Sequence, residues 1–265
     1  MPRLIDTHCH LDLIAQQGLA ITDSLQKAQE IGVDKILQIG INYQSSIDAQ
    51  KIVKDYDGSI ELKYSIGCHP ADTIGSEEIA DIQNLIVSNA QDPKLVGIGE
   101  IGLDYFHKDN TKEQINIFSE FLDLAAQEKL PVIIHSRDAA EDTYEILKSY
   151  KNKVSGVIHC FTYNAYFAQK FVELGFYISF SGIVAFKNAK DIHQAARSIP
   201  LGNILIETDS PYLSPPPNRG KRNDSSNLIH ILERIKTLRD EAADKVEESI
   251  YLNSNNFLNR KAVLC

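Results

Sequence analysis

Six side chains suited to holding a hydrolytic metal ion recur along the chain, and the first two are separated by a single residue. His8 and His10 flank Cys9 at the end of an aliphatic run. Successive side chains of an extended backbone alternate between faces, so the two imidazoles share one face and Cys9 turns to the other as a packing residue. Further along, Glu100 follows Gly97-Ile98-Gly99, His135 and His159 each end an aliphatic run, and Asp209 sits within Glu207-Thr208-Asp209-Ser210. A lone strand histidine is usually a packing or surface residue, so no single position carries the argument. The weight lies in four histidines and two carboxylates recurring in equivalent surroundings. Imidazole with carboxylate suits zinc, manganese or magnesium in a hydrolytic site, and it disfavours thiolate-rich structural zinc.

The equivalent surroundings are strand ends. Short β-branched or aliphatic runs at 4–7, 35–39, 63–66, 95–98, 132–135, 156–159, 177–180 and 204–207 predict eight strands. Amphipathic stretches lie between them. Ile115, Phe118, Leu122 and Ala125 mark a helix over 112–129. Asp138 with Glu141 reads as a capped helix start after the fifth strand. Leu228, Ile231, Ile235 and Leu238 mark one late helix, and Val246, Ile250 and Phe257 another. Eight strands alternating with helices predict an α/β fold with a parallel sheet closed as a (β/α)8 TIM barrel, here one domain over 1–265. Such barrels gather their chemistry at the C-terminal strand ends, where all six candidate ligands fall. The Pro-, Asn- and Arg-rich stretch 210–226 reads as a long loop over the mouth. His69, in Gly67-Cys68-His69-Pro70 after the third strand, faces the same mouth as a substrate contact or a loop residue. His107, His193 and His230 lie away from strand ends, where a surface role is expected.

Composition sets outer bounds. A net charge of −9 argues against a broad basic surface that coats nucleic acid, without excluding an enzyme that meets one phosphate at a time. The longest apolar runs fall far short of the ~20 residues needed to span a bilayer, so no membrane association is expected. No secretory h-region precedes the first strand, and the four cysteines show no C-x-x-C spacing. Reduced thiols and a cytoplasmic location are the simplest reading.

The sequence resembles the TatD family of metal-dependent deoxyribonucleases, a branch of the amidohydrolase superfamily. The resemblance rests on DTHCHLD at 6–12, GCHP at 67–70, GIGEIGLDY at 97–105, LPVIIHSRDA at 130–139, HCFT at 159–162, ETDSPYL at 207–213 and RGKRN at 219–223. These segments span nearly the whole chain. The resemblance implies a two-metal site in which His8, His10, Glu100 and Asp209 hold one ion. Glu100, His135 and His159 would hold the second, with Glu100 bridging where many superfamily members use a carboxylated lysine. Two departures stand out: Tyr163-Asn164 replaces a Gly-Ser-like turn after HCFT, and Asn223-Asp224-Ser225 stands where N-E-P is usual. Both fall on loops expected to meet substrate.

Two divalent ions, Mg²⁺ or Mn²⁺ with Zn²⁺ as an option, would activate a water for phosphodiester hydrolysis. Asp209 is the expected general base, acting with the Glu100 bridge and without a covalent intermediate. His69, Arg137, Arg219, Lys221 and Arg222 are candidate substrate contacts, the arginines because guanidinium holds phosphate in a bidentate manner. Tyr105, Phe106, Phe161, Tyr163 and Tyr212 follow ligand-bearing strands and offer rings on which bases could stack. The resemblance implies 3′ to 5′ exonuclease or less specific deoxyribonuclease activity on DNA, single-stranded or at 3′ ends, with no obligate protein partner. Two rivals remain: an ester or amide hydrolase such as an aminoacyl-tRNA deacylase on the same barrel, and a non-catalytic metal-binding protein.

Overall fold

The computed structural model describes residues 2–72, 75–106 and 110–260. Eight parallel strands form one sheet in sequence order: β1 (Leu4–Cys9), β2 (Val33–Gln38), β3 (Glu61–Ile66), β4 (Leu95–Asp104), β5 (Val132–Arg137), β6 (Gly156–Ile158), β7 (Phe176–Phe180) and β8 (Ile204–Ile206). Backbone bonds from Asp209 N to His8 O (3.0 Å) and from His10 N to Ser210 O (2.9 Å) join the last strand end to the first. The sheet thereby closes into the expected (β/α)8 barrel. Ten helices surround it among the described residues: α1 (Leu11–Gln16), α2 (Ile21–Glu30), α3 (Tyr43–Asp55), α4 (Ser76–Asn89), α5 (Thr111–Glu128), α6 (Ala140–Ser149), α7 (Ala165–Glu173), α8 (Lys190–Ser198), α9 (Leu228–Leu238) and α10 (Ala243–Leu258).

Two apolar layers follow from strand alternation. Ile5, Leu37, Val96, Ile133, Val157, Tyr177 and Leu205 pack together inside the barrel, and Phe257 and Leu258 of α10 join them at the end opposite the histidines. The alternate residues, among them Ile36, Leu62, Ile134 and Ile206, pack outward against the helices, and Cys9 lies in that layer. The packing role expected for Cys9 is therefore the observed one.

Strict alternation would nevertheless send His8 outward, because Ile5 and Thr7 face in. A bulge reverses the phase. Asp6 pairs with Ile36 but Cys9 with Gln38, so β1 carries one extra residue between them. Thr7 and His8 both turn inward, and His10 follows two residues on. The long β4 uses the device twice. It gains a residue between Leu95 and Gly97 relative to β3, and another between Ile98 and Ile101 relative to β5. The second bulge aims Glu100 into the mouth.

The helix expected to begin on an Asp138–Glu141 capping box starts differently. Asp138 has φ 55°, and α6 begins at Ala140 with no side-chain cap. Asp138 instead lines the cavity at the barrel mouth, and the Tyr163 hydroxyl accepts from Ala139 N at 3.1 Å. His193 departs from its expected surface position: it is buried, with Nε2 2.9 Å from Val184 O. His230 is half-buried on α9, and His107 lies outside the described residues.

Gly67 shows how tightly the bulge is held. A Cβ there would stand 2.2 Å from Gly99 C and 2.3 Å from Glu100 N. Gly67→Ala should therefore lower stability by roughly 1–3 kcal/mol through overpacking against backbone, measured by urea unfolding. Gly202→Ala, where a Cβ meets nothing within 4 Å, should change it little.

Candidate metal centre

The six candidate ligands reach the mouth from the ends of β1, β4, β5, β6 and β8, and Glu100 stands among them. Its Oε1 lies 2.8 Å from His135 Nδ1, 2.9 Å from His159 Nε2 and 3.4 Å from His69 Nε2. Its Oε2 lies 3.3 Å from His8 Nε2 and 4.0 Å from His10 Nε2. Asp209 Oδ1 is 3.7 Å from His8 Nε2 and 3.6 Å from His10 Nε2. The structure thus brings together all six residues, with His69 beside them.

The spacing fits cation binding. His8 Nε2 and His10 Nε2 face each other at 3.2 Å, as do His135 Nδ1 and His159 Nε2. Two nitrogens ~2.1 Å from one ion at near-tetrahedral or octahedral angles stand about this far apart. Donor atoms of His8, His10 and Asp209 lie within 4.8 Å of one another, as do those of His8, Glu100 and His159, and those of His69, Glu100 and His135. Glu100 therefore stands between two groups of ligating atoms.

Charge in this buried cluster is arranged by mutual compensation. Burial pushes the Glu100 carboxyl up, but the charges of His159 and His69 and hydrogen bonds from His135 and His159 outweigh it and hold Glu100 well below the usual range. Burial also opposes ionisation of Asp209, yet its contact with His10 and the charges of His8 and His159 hold it down. Burial disfavours a charged His159, but Glu100 and Glu207 raise it well above an ordinary imidazole. His8, fully buried, moves down through desolvation and the neighbouring charge of His159. The carboxylates are thus set up as anions, and positive charge must accompany them.

The site opens into a cavity of about 710 Å³ whose wall includes His69, Asp104, Arg137 and Tyr212 together with His10, Glu100, His135, His159 and Asp209. The Arg137 guanidinium lies over the Phe106 ring, 4.0 Å from its centroid. Arg219 is stacked on Phe186 at 4.6 Å. Arg219, Lys221 and Arg222 are exposed and do not form part of the cavity wall. Of the five candidate stacking rings, Phe106 and Tyr212 are more than half exposed. Phe161 is buried, the Tyr163 hydroxyl is 2.9 Å from Ser136 Oγ, and the Tyr105 hydroxyl donates to Asp142 at 2.6 Å.

The two departures from the family pattern make contacts within the frame, on loops whose neighbouring residues Thr162 and Tyr212 line the cavity. Asn164 caps α7, its Oδ1 accepting from Phe167 N at 3.2 Å. Ser225 is fully buried and donates from Oγ to Asp6 Oδ2 at 2.7 Å, while Asp224 accepts from Ser226 N at 3.0 Å. None of these residues lines the cavity.

Three carboxylates escaped the sequence reading. Asp6 accepts from Thr208 N (2.9 Å), Thr208 Oγ1 (2.6 Å) and Ser225 Oγ, tying β8 to β1; burial pushes its carboxyl up to about 6. Asp104 Oδ2 is 3.4 Å from His135 Nε2, and Glu207 Oε1 is 3.3 Å from His159 Nδ1. The available signal was position alone: Glu207 lies two residues before Asp209, and Asp104 ends the bulged strand that carries Glu100.

Among the described residues no helix is long and apolar enough to cross a membrane, and Cys9, Cys68 and Cys160 are unpaired; Cys265 lies outside them. Residues 5–259 match the family model described as TatD related DNase. An Escherichia coli K12 protein called uncharacterized metal-dependent hydrolase YcfH is 37% identical over 258 residues, covering 96% of this chain and 94% of its own. A Shigella flexneri serotype 5b protein named 3′-5′ ssDNA/RNA exonuclease TatD is 35% identical over 228 residues, covering 83% and 86%. The crystal structure of YJJV, a TatD homolog from Escherichia coli K12, superposes with a TM-score of 0.87 at 28% identity, covering 97% of each chain. With its barrel, the histidines and carboxylates gathered at its strand ends and this likeness along nearly its full length, the chain belongs to the TatD-related DNase family of metal-dependent hydrolases.

Proposed function

We propose that the chain is a deoxyribonuclease that hydrolyses phosphodiester bonds of single-stranded DNA from the 3′ end. The observation that carries this reading is the clustering of Glu100 and Asp209 with two imidazole pairs at the floor of a cavity whose wall holds Arg137. The name of the Shigella relative supports the substrate class. His8, His10, Glu100 and Asp209 would hold one divalent ion, and Glu100, His135 and His159 a second. When bound, Mg²⁺ or Mn²⁺, with Zn²⁺ as an alternative, would supply Lewis-acid activation and neutralise phosphate charge.

The chain's own residues do the rest. Asp209 keeps some solvent access, with its side chain 16% exposed, and is held ionised by the nearby imidazoles. It can orient an attacking water and accept its proton. Arg137 lines the cavity with its guanidinium over Phe106, and a guanidinium held there could pair with two phosphate oxygens. His69, 3.4 Å from Glu100, stands where it can meet substrate or support the bridge. The exposed Phe106 and Tyr212 offer stacking faces to unpaired bases. The three unpaired cysteines favour a reducing compartment, the cytoplasm.

With labelled single-stranded DNA and Mg²⁺ or Mn²⁺, Asp209→Asn should lower kcat by roughly 100- to 10,000-fold, the range of lost acid–base catalysis. Absence of metal-dependent products from the native protein, with turnover of acyl substrates in parallel assays, would refute the nuclease reading. Arg137→Ala should mainly raise KM, by roughly tenfold or more for one lost charge-assisted contact. Chelation should also lower the melting temperature, since an ion present at about 100 times its Kd stabilises the fold by ~2.7 kcal/mol. An unchanged melting curve across chelation and reloading would count against resident ions.

A further inference from the structure

Glu207 is wholly buried, carries an acid group and stands behind the metal-facing surface of His159. Its Oε1 accepts from Cys160 N at 2.7 Å and lies 3.3 Å from His159 Nδ1. Its Oε2 is buried without a hydrogen-bond partner. A carboxylate with one unsatisfied oxygen in the interior costs free energy, so a fold that keeps it gains something at the other oxygen. That oxygen serves two neighbours at once: the backbone just after β6, where Cys160 has φ 42°, and the imidazole ring.

The ring lies between two carboxylates, with Nε2 2.9 Å from Glu100 Oε1 and Nδ1 toward Glu207. An imidazole that binds an ion has one proton and one lone pair, and the acceptor behind the ring favours the proton on the outer nitrogen. With an ion at Nε2 the proton would sit at Nδ1, where Glu207 Oε1 stands 3.3 Å away, and the Nε2 lone pair would face the space shared with Glu100 and His135. The two histidines of β1 provide an internal contrast. Their outer nitrogens, His8 Nδ1 and His10 Nδ1, are buried with no partner.

We infer that Glu207 is a positioning residue that fixes the tautomer and orientation of His159 and so sets the affinity for the ion held with Glu100 and His135. The inference rests on the metal-binding reading of the site, and it assigns that half of the centre an anionic support that the His8–His10 pair lacks on its outer nitrogens.

The test uses the full chain stripped of metal and titrated with Mn²⁺ by calorimetry. Glu207→Gln preserves size and an acceptor for Cys160 N but removes the charge. It should weaken one binding step by about ten- to a hundredfold, the usual effect of losing a partner behind a metal ligand. The other step, and the melting temperature of the metal-free protein, should stay close to the native values. A purely structural anchor for Cys160 predicts unchanged affinity, and that result would overturn the inference. Nitrogen-15 spectra of the Zn²⁺-loaded native protein give a second readout that does not depend on the variant folding. His159 should carry its proton on Nδ1; a proton on Nε2 would equally overturn it. Native protein that takes up no ion at all would overturn the metal reading itself, a distinguishable failure.

Discussion

Charge neutrality around Glu100 is the constraint on which the rest of this structure depends. A carboxylate almost fully removed from water is costly to ionise unless cationic groups stand close to it. Here His69, His135 and His159 all approach it, and each arrives from a different strand or strand-end loop. The barrel is the device that makes such convergence possible. It holds several strand ends on one ring, so residues distant in sequence become neighbours without any of the strands having to bend far from its own hydrogen-bonded course. The Arg137–Phe106 pair, the cavity and the rim loops then add reach toward a substrate without disturbing the buried centre.

Much of this was legible from residue types. Eight aliphatic runs gave eight strands, and the apolar spacing around Phe118 and Ile231 corresponds to α5 and α9. The ligand candidates were visible because imidazoles and carboxylates are uncommon at the ends of such runs. Alternation correctly paired His8 with His10, since two residues apart in an extended segment is a local relation. It could not give their phase against Ile5, because the phase depends on one extra residue whose position is decided by pairing with β2. Glu100 shows the same limit: its aim depends on bulges registered against both β3 and β5.

Polar residues behind the centre were the hardest to read. Asp6, Asp104 and Glu207 belong to the same motifs as the candidate ligands, and type alone does not separate a carboxylate facing the cluster from one that supports an imidazole or a strand seam. Ser225 shows the converse. As a departure from a familiar pattern it suggested altered substrate contact, but in the fold it is a buried donor to Asp6. Whether a loop residue faces the cavity or the frame is a three-dimensional property with no periodic signature.

The seam that Asp6 makes with Thr208 spans 202 positions of the chain. It joins the strand that supplies the first two imidazoles to the segment that supplies Asp209, so the centre cannot assemble from either terminal half alone. During synthesis a growing chain would carry His8 and His10 long before their acidic counterpart emerges. Completion of the centre therefore coincides with closure of the barrel between its first and last strand ends.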